Sequence, residues 1–296
     1  DDWTITIATL ENTHDLSKAL KSQGGYVITH MGRIERDDGC PFSSKELDEI
    51  LRCLYFFLSF VLGAWAGLAL PIGFAKDGRR VFEQWGLPVT TPAPWRDSCS
   101  WFDTHHAELL SEVFPGFVAL WKNTTWKDAL KTVLYWYIEA NQQGHTISTD
   151  VGVILAQVAL ELLAWTYCVQ VQRMISAEAF GPRGLSAADK LRLLVSSLDI
   201  PLELPDSLVP FQPDRGQRKW QDSMDAITSV RNSLVHPAKR KSKYHGECLV
   251  AVWKLSLWYL EMVLLRLCGH HGEYANRLTS ERWAGQVEPV PWTEAR

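Results

Sequence analysis

Alternating apolar and polar positions open the chain. Residues 3–10 alternate and are rich in β-branched side chains, which predicts a strand. A polar stretch at 11–23 follows, and residues 26–36 predict a second strand. Two strands alone are marginally stable in water, so this β-strand segment (1–42) is expected to join an upstream β-rich domain. The chain begins at Asp1 without an initiator methionine, as expected of a fragment or of numbering that starts inside a longer precursor.

A long run without charged residues comes next. A helix is predicted over residues 45–66, and no Asp, Glu, Lys or Arg occurs from Cys53 to Ala75. That length could cross a bilayer, which leaves a membrane-associated sensor as one hypothesis. Gly63, Gly67 and Pro71 interrupt the run, however, and favour a buried helix followed by a strand at 68–75. A hairpin turn then leads into a strand at 80–85.

Helical periodicity dominates the remainder of the chain. Residues 87–98 and 199–216 are rich in proline and predict loops. The apolar spacing predicts helices at 104–120, 124–142, 151–175, 187–198, 217–235 and 244–267. The fold class is therefore mainly α, a helical bundle preceded by a small α+β segment with a few strands. Three parts are predicted: 1–42, an α+β region at 43–145, and a helical domain at 146–296.

Composition narrows the function classes. Hydrophobic residues make up 46% and charged residues 22%, which is typical of a folded globular protein. The net charge of −4 provides no global positive field, so any basic surface must be local. The six cysteines contain no C-x-x-C pair, which argues against zinc and a disulfide scaffold and favours reduced thiols in the cytoplasm. No nucleotide-binding, zinc-protease or serine-esterase motif is present, and no cofactor or metal is expected.

The candidate chemistry lies at Arg231, Asn232 and His236. His236 is expected to be the last residue of its helix, because Pro237 disfavours helical angles at the residue before it. Arginine binds phosphate with a planar fork of donors, and histidine can accept or donate a proton near neutral pH. Together they suit metal-free RNA cleavage, in which the 2′-OH attacks its own phosphate. One histidine performs one of the two proton transfers, and a symmetric homodimer would supply the second.

The segment Arg231-Asn232-Ser233-Leu234-Val235-His236 resembles the Arg-Asn-x-x-x-His motif of the HEPN superfamily. The resemblance covers residues 146–272 and includes the apolar helix around Ala159-Leu160-Glu161-Leu162-Leu163. It implies a HEPN-like helical domain that dimerises into a metal-independent ribonuclease, with Arg231 and His236 catalytic and Asn232 supporting them. The layout is also similar to the C-terminal portion of ApeA-type bacterial defence proteins. That likeness implies a cytoplasmic toxin or anti-phage effector with a triggering phage factor.

Two further features bear on the site. Four cations follow the motif and are expected to bind RNA, although a solvated loop is an equal alternative: Lys239, Arg240, Lys241 and Lys243. Glu161, the one charge in the middle of its apolar helix, could orient Arg231 or bond a neighbouring helix. Arg and Asn near a helix end also hold loops in place. The alternative function is therefore a non-catalytic HEPN-like binding or dimerisation module.

Overall fold

The computed structural model describes residues 3–86, 92–94, 99–143, 149–212, 219–236, 244 and 246–293. The fold is mainly α and falls into two compact units. Unit 1 comprises Asp1–Leu58 and Trp65–Ser98, and unit 2 comprises Ser59–Ala64 and Cys99–Arg296. The predicted three-part division of the chain stays a prediction.

Unit 1 begins with an antiparallel hairpin of β1 (Trp3–Thr9) and β2 (His30–Arg36), paired from Trp3↔Arg36 to Thr9↔His30. Both strands were predicted, but β2 begins four residues later than expected. The polar stretch between them contains helix α1 (Thr13–Gln23), which the sequence analysis missed. Leu20 is its single buried residue, and its apolar stripe is short (Leu16, Ala19 and Leu20) within a mostly polar sequence.

Helix α2 (Ser44–Leu62) replaces the predicted helix at 45–66. Ser43 and Glu46 form a reciprocal cap at its start, with Ser43 N donating to Glu46 Oε2 at 2.8 Å. The helix ends at Gly63, whose φ of +65° suits glycine. Strands β3 (Ile72–Phe74) and β4 (Arg80–Glu83) then form the predicted second hairpin, with shorter strands than expected.

The charge-free run at 53–75 is therefore not one continuous helix. Its helical part stops at Leu62, and a short strand follows, as the non-membrane interpretation predicted. Two other helical stretches are long and apolar enough to cross a membrane: Thr149–Val171 and Glu247–Leu267. Burial within the protein covers 56% and 78% of their most apolar windows, the pattern of core helices.

Unit 2 is a helical bundle. It contains α3 (Glu108–Lys122), α4 (Thr124–Gln143), α5 (Thr149–Ala164), α6 (Ala177–Phe180), α7 (Ala187–Ser197), α8 (Ser223–Val235) and α9 (Glu247–Leu267). Helix α5 packs against α4, α7, α8 and α9 and is the centre of the bundle. Two strands close the unit, β5 (Glu273–Tyr274) and β6 (Glu288–Pro289), which pair antiparallel.

Several predicted bounds in this unit were wrong, among them that of α3, which was expected at 104–120 and lies at Glu108–Lys122. The helix expected at 151–175 is α-helical only to Ala164 and continues as a π-helix over Trp165–Val171. The loop expected at 199–216 contains a 3₁₀ helix at Asp206–Phe211. The motif helix begins at Ser223 rather than 217, because Asp222 provides its N-terminal cap.

All six cysteines are free of disulfides in the structure, and their reduced state in the cytoplasm stays a prediction. Cys53, Cys168, Cys248 and Cys268 are buried, whereas Cys40 is exposed. Burial raises the pKa of the thiols of Cys168 and Cys248 from 9.0 to about 11, and that of Cys268 to about 12.

Because these thiols are buried, we expect the protein to be less stable in alkaline solution than at neutral pH. An unfolded thiol ionises near pH 9.0, whereas the folded thiol keeps its proton. The contribution of the buried thiols to the free energy of unfolding is therefore fully present below pH 9.0. It is lost as the pH rises toward about 11. Urea denaturation at about pH 7 and about pH 10 measures this loss. Replacing Cys168, Cys248 and Cys268 with alanine should reduce the pH dependence, and an unchanged dependence would contradict the assignment.

A close approach of backbones is predicted to make Gly116 irreplaceable in α3. A Cβ added there would overlap the carbonyl oxygen of Cys268, just after α9. Alanine is favoured over glycine in helices by about 1 kcal/mol, yet Gly116→Ala is expected to destabilise unit 2 by about 1–3 kcal/mol through overpacking. Urea denaturation of Gly116→Ala, with the exposed Ala119→Gly as the helix-propensity control, tests this. A stabilised Gly116→Ala protein would show that the overlap is absent.

A buried polar cluster joins α4, α9 and the segment after α9. We call it the Glu261 cluster, and its members are Tyr137, Asn141, Glu261 and Arg277. The Glu261 carboxylate is fully buried and forms an ion pair with Arg277, which is 5% exposed. Tyr137 Oη donates to Glu261 at 2.6 Å, and Arg277 also donates to Asn141 Oδ1 at 3.2 Å. The cluster therefore fastens the C-terminal segment of unit 2 to its bundle.

Candidate functional site

Helix α8 carries the motif and is anchored at its first turn. The Asp222 side chain accepts from the backbone N–H of Asp225 at 2.9 Å and caps the helix. Arg192 on α7 donates to Asp222 at 2.6 Å and to Asp225 at 3.2 Å. Together, these carboxylates outweigh burial and raise the pKa of Arg192 above its ordinary value. The ion pairs fix α8 against α7, and this fixes the position of the motif residues.

The apolar face of α8 lies in the bundle core. Met224, Ile227 and Val230 are fully buried. Arg231 and Asn232 are half-buried beside them, so Arg231 lies at the edge of the apolar face. A side chain at this edge can contact both the core and solvent.

Arg231 uses few of its donors within the described chain. Its Nη1 donates to Asn232 Oδ1 at 3.3 Å. Its Nε is buried and has no hydrogen-bond partner among the residues that the structure describes. A buried donor without a partner costs about 1–3 kcal/mol, and an acceptor from a ligand would remove that cost. The guanidinium can therefore still donate hydrogen bonds to an oxyanion.

His236 is the C-cap residue of α8, as Pro237 in the sequence predicted. Its φ of −96° and ψ of 117° are extended, and its backbone N–H donates to Asn232 O at 3.2 Å. The side chain is exposed at the end of the helix. The imidazole is thus accessible to a substrate, while the backbone of its residue is held by the last turn of α8.

The expected interaction between Glu161 and Arg231 is not formed. Its carboxylate instead accepts from Gln157 Nε2 at 2.8 Å, one turn earlier on α5. No ion pair joins Glu161 and Arg231, both of which lie in the described part of the chain. Glu161 is half-buried and obtains its donor from its own helix, so it needs no arginine. The predicted role in orienting Arg231 is corrected accordingly.

The four predicted RNA-binding cations, Lys239, Arg240, Lys241 and Lys243, lie outside the described residues. The described residues beside that stretch are Tyr244, whose ring packs against Trp220 with centroids 5.5 Å apart, and Gly246, which precedes α9. Across the residues that are described, no group of three or more His, Cys, Asp or Glu side chains could hold a metal ion.

The Glu261 cluster was not predicted from the sequence. Its signal was a single carboxylate within an otherwise apolar stretch of α9, the same signal that drew attention to Glu161. Arg277, the partner of Glu261, lies beyond the end of that helix. The spacing between the two residues gave no indication that they would form an ion pair.

Two family models match separate parts of the chain. The YopA C-terminal domain matches residues 123–289, and the YopA central domain matches residues 1–96. The chain is also 30% identical over 297 residues to the SPbeta prophage-derived uncharacterized protein YopA of Bacillus subtilis (strain 168). That alignment includes 98% of this chain but only 64% of the relative. No solved structure matches the chain. The match to the C-terminal domain alone covers more than half of the residues of this chain, and the chain therefore belongs to the YopA family.

Proposed function

We propose that the protein is a metal-independent endoribonuclease of HEPN type, with its site at the end of α8. The observation that carries the proposal is the buried Nε of Arg231, which has no partner among the described residues, on the same last turns as the exposed His236. Arg231 would bind the scissile phosphate, and Asn232 would hold the guanidinium through the bond at 3.3 Å. His236 would transfer a proton to or from an oxygen of the ribose or phosphate.

The reaction needs two proton transfers. One group takes the proton from the attacking 2′-OH, and another gives a proton to the departing 5′ oxygen. With one His236 in each chain, a homodimer with two α8 ends facing one another would provide both groups. The cations at 239–243 would then attract RNA to the same place in a protein whose net charge is −4.

The resemblance to HEPN and ApeA-type proteins and the prophage origin of the B. subtilis relative support a role in conflict between phage and host. In this proposal the protein is a cytoplasmic toxin or abortive-infection effector. A phage factor or an upstream β-rich domain would control it.

The second candidate is a non-catalytic binding or dimerisation module. The hydrogen bond between Arg231 and Asn232 favours it, because such a bond can simply hold the end of α8 in place. In that case, removing the His236 imidazole would change neither RNA nor growth.

Induction in bacteria separates the two candidates. Cultures expressing the wild type, His236→Ala and His14→Ala are compared for growth and for the integrity of their total RNA. His14 is the matched control, because its side chain is 78% exposed and lies in unit 1. The ribonuclease proposal expects the wild type and His14→Ala to stop growth and degrade RNA, and His236→Ala to do neither. Equal effects of all three proteins, or no effect of the wild type, would favour the binding module.

A further inference from the structure

A polar cleft of about 470 Å³ lies between the start of α4 and the π-helix that continues α5. All of its lining residues belong to unit 2. Its polar lining comprises hydroxyl, amide and carboxylate side chains: Thr124, Thr125, Asp128, Thr132, Thr166 and Gln170. Trp165 and Leu162 add apolar surface. The cleft thus combines several hydrogen-bonding groups with an aromatic ring.

Thr166 distinguishes the cleft from an ordinary surface depression. The residue is 1% exposed, and its Oγ1 has no hydrogen-bond partner among the described residues. Other helical hydroxyls in unit 2 donate to a carbonyl three or four residues earlier, as Ser233 does to Val230 O at 2.6 Å and Thr228 to Met224 O at 2.8 Å. Thr166 lacks this bond and lies within the π-helix, a deviation that often marks a functional site. Its hydroxyl is therefore available to a ligand.

The charges around the cleft argue against an anionic ligand. No lysine or arginine lines it, and its one ionisable residue is Asp128. Lys131 pairs with that carboxylate at 3.2 Å from outside the lining. The backbone N–H groups of Thr125 and Trp126, at the start of α4, already donate to Asn123 Oδ1 at 3.0 and 3.3 Å. These amides are therefore not free to bind a phosphate.

We propose that the cleft binds a neutral ring compound with neighbouring hydroxyl groups, the chemistry shared by nucleosides and monosaccharides. Thr166 Oγ1 and the Gln170 amide would bond its hydroxyls, since both groups donate and accept. The ring would lie against Trp165, whose indole is held edge-on to Phe180 with centroids 5.4 Å apart. This proposal does not depend on RNA cleavage at α8.

Calorimetric titration of the full chain with adenosine, uridine, glucose and inorganic phosphate tests the proposal. At least one neutral compound is expected to bind. Thr166→Val, which keeps the shape of the side chain, should weaken that binding about three- to tenfold. Thr228→Val is the matched control, because it makes the same change at a buried threonine that does not line the cleft. It should leave the affinity unchanged.

The outcomes are distinct. Binding of adenosine or uridine without glucose assigns the site to nucleosides, and binding of glucose alone assigns it to sugars. Thermal melting must show Thr166→Val to be at least as stable as the wild type, because it removes a hydroxyl that lacks a partner. Failure of all three neutral compounds to bind, tighter binding of phosphate, or equal affinity in Thr166→Val would overturn the proposal.

Discussion

Alanine in place of Arg277 is expected to lower the free energy of unfolding by about 3–5 kcal/mol, because it leaves the buried Glu261 charge without its partner. Glu261 is fully buried and cannot exchange the lost ion pair for water. Burial alone would lower the pKa of Arg277, but the Glu261 carboxylate outweighs it and raises the pKa above its ordinary value. Burial and Glu261 also raise the pKa of Tyr137 well above normal, so this phenol remains a donor.

Urea denaturation of the wild type, Arg277→Ala and Lys131→Ala measures this effect. Lys131 is the control because its pair with Asp128 is solvent-accessible, with side chains 38% and 90% exposed. Its loss is expected to cost less than about 1 kcal/mol. Adding Glu261→Leu to Arg277→Met should recover part of the stability, since a matched apolar pair avoids the unpaired charge. Similar losses for Arg277→Ala and Lys131→Ala would show that the cluster does not stabilise the bundle.

His236→Ala is expected to lower the rate of RNA cleavage by about 10²- to 10⁴-fold, the range in which a positioned proton-transfer group contributes. The imidazole is exposed at the end of α8, so its removal should leave the fold intact. Arg231→Lys should also lose most of the activity. Lysine keeps the charge but not the planar fork of donors that binds phosphate.

Single-turnover cleavage of an end-labelled RNA by purified proteins gives these rates, with thermal melting as the check on folding. His14→Ala should cleave at the wild-type rate. If His236→Ala and Arg231→Lys both retained the wild-type rate, the site assignment at α8 would be wrong.

The apolar pattern predicted the helices that bury a continuous face. Helices α4, α7 and α9 lie close to their expected bounds, because periodic leucines, valines and tryptophans pack in the core. Helix α1 has a single buried residue, and its short apolar stripe was overlooked within a mostly polar sequence. The π-helix at Trp165–Val171 was also missed, because its sequence is as apolar as the α-helix that it continues.

The candidate site was predicted in part. Pro237 indicated to within one residue where α8 stops, because this effect depends only on the neighbouring residue: the helix ends at Val235 and His236 is its extended C-cap. The choice between Glu161 and Glu261 could not be made from the sequence. Each is a carboxylate within the apolar part of its helix, and only the packing buries Glu261 fully and places Arg277 against it. That Arg231 Nε finds no partner within the described ranges likewise depends on its surroundings in three dimensions.

The chemistry of the RNA ends tests the central claim most directly. Purified protein is incubated with RNA in the presence of a metal chelator, and the new 3′ ends are analysed. We expect 2′,3′-cyclic phosphate ends with the wild type and none with His236→Ala, since attack by the 2′-OH needs the proton transfer but no metal ion. Cleavage only when metal is added, or the same ends from His236→Ala, would contradict the assignment of a metal-independent ribonuclease site to Arg231 and His236.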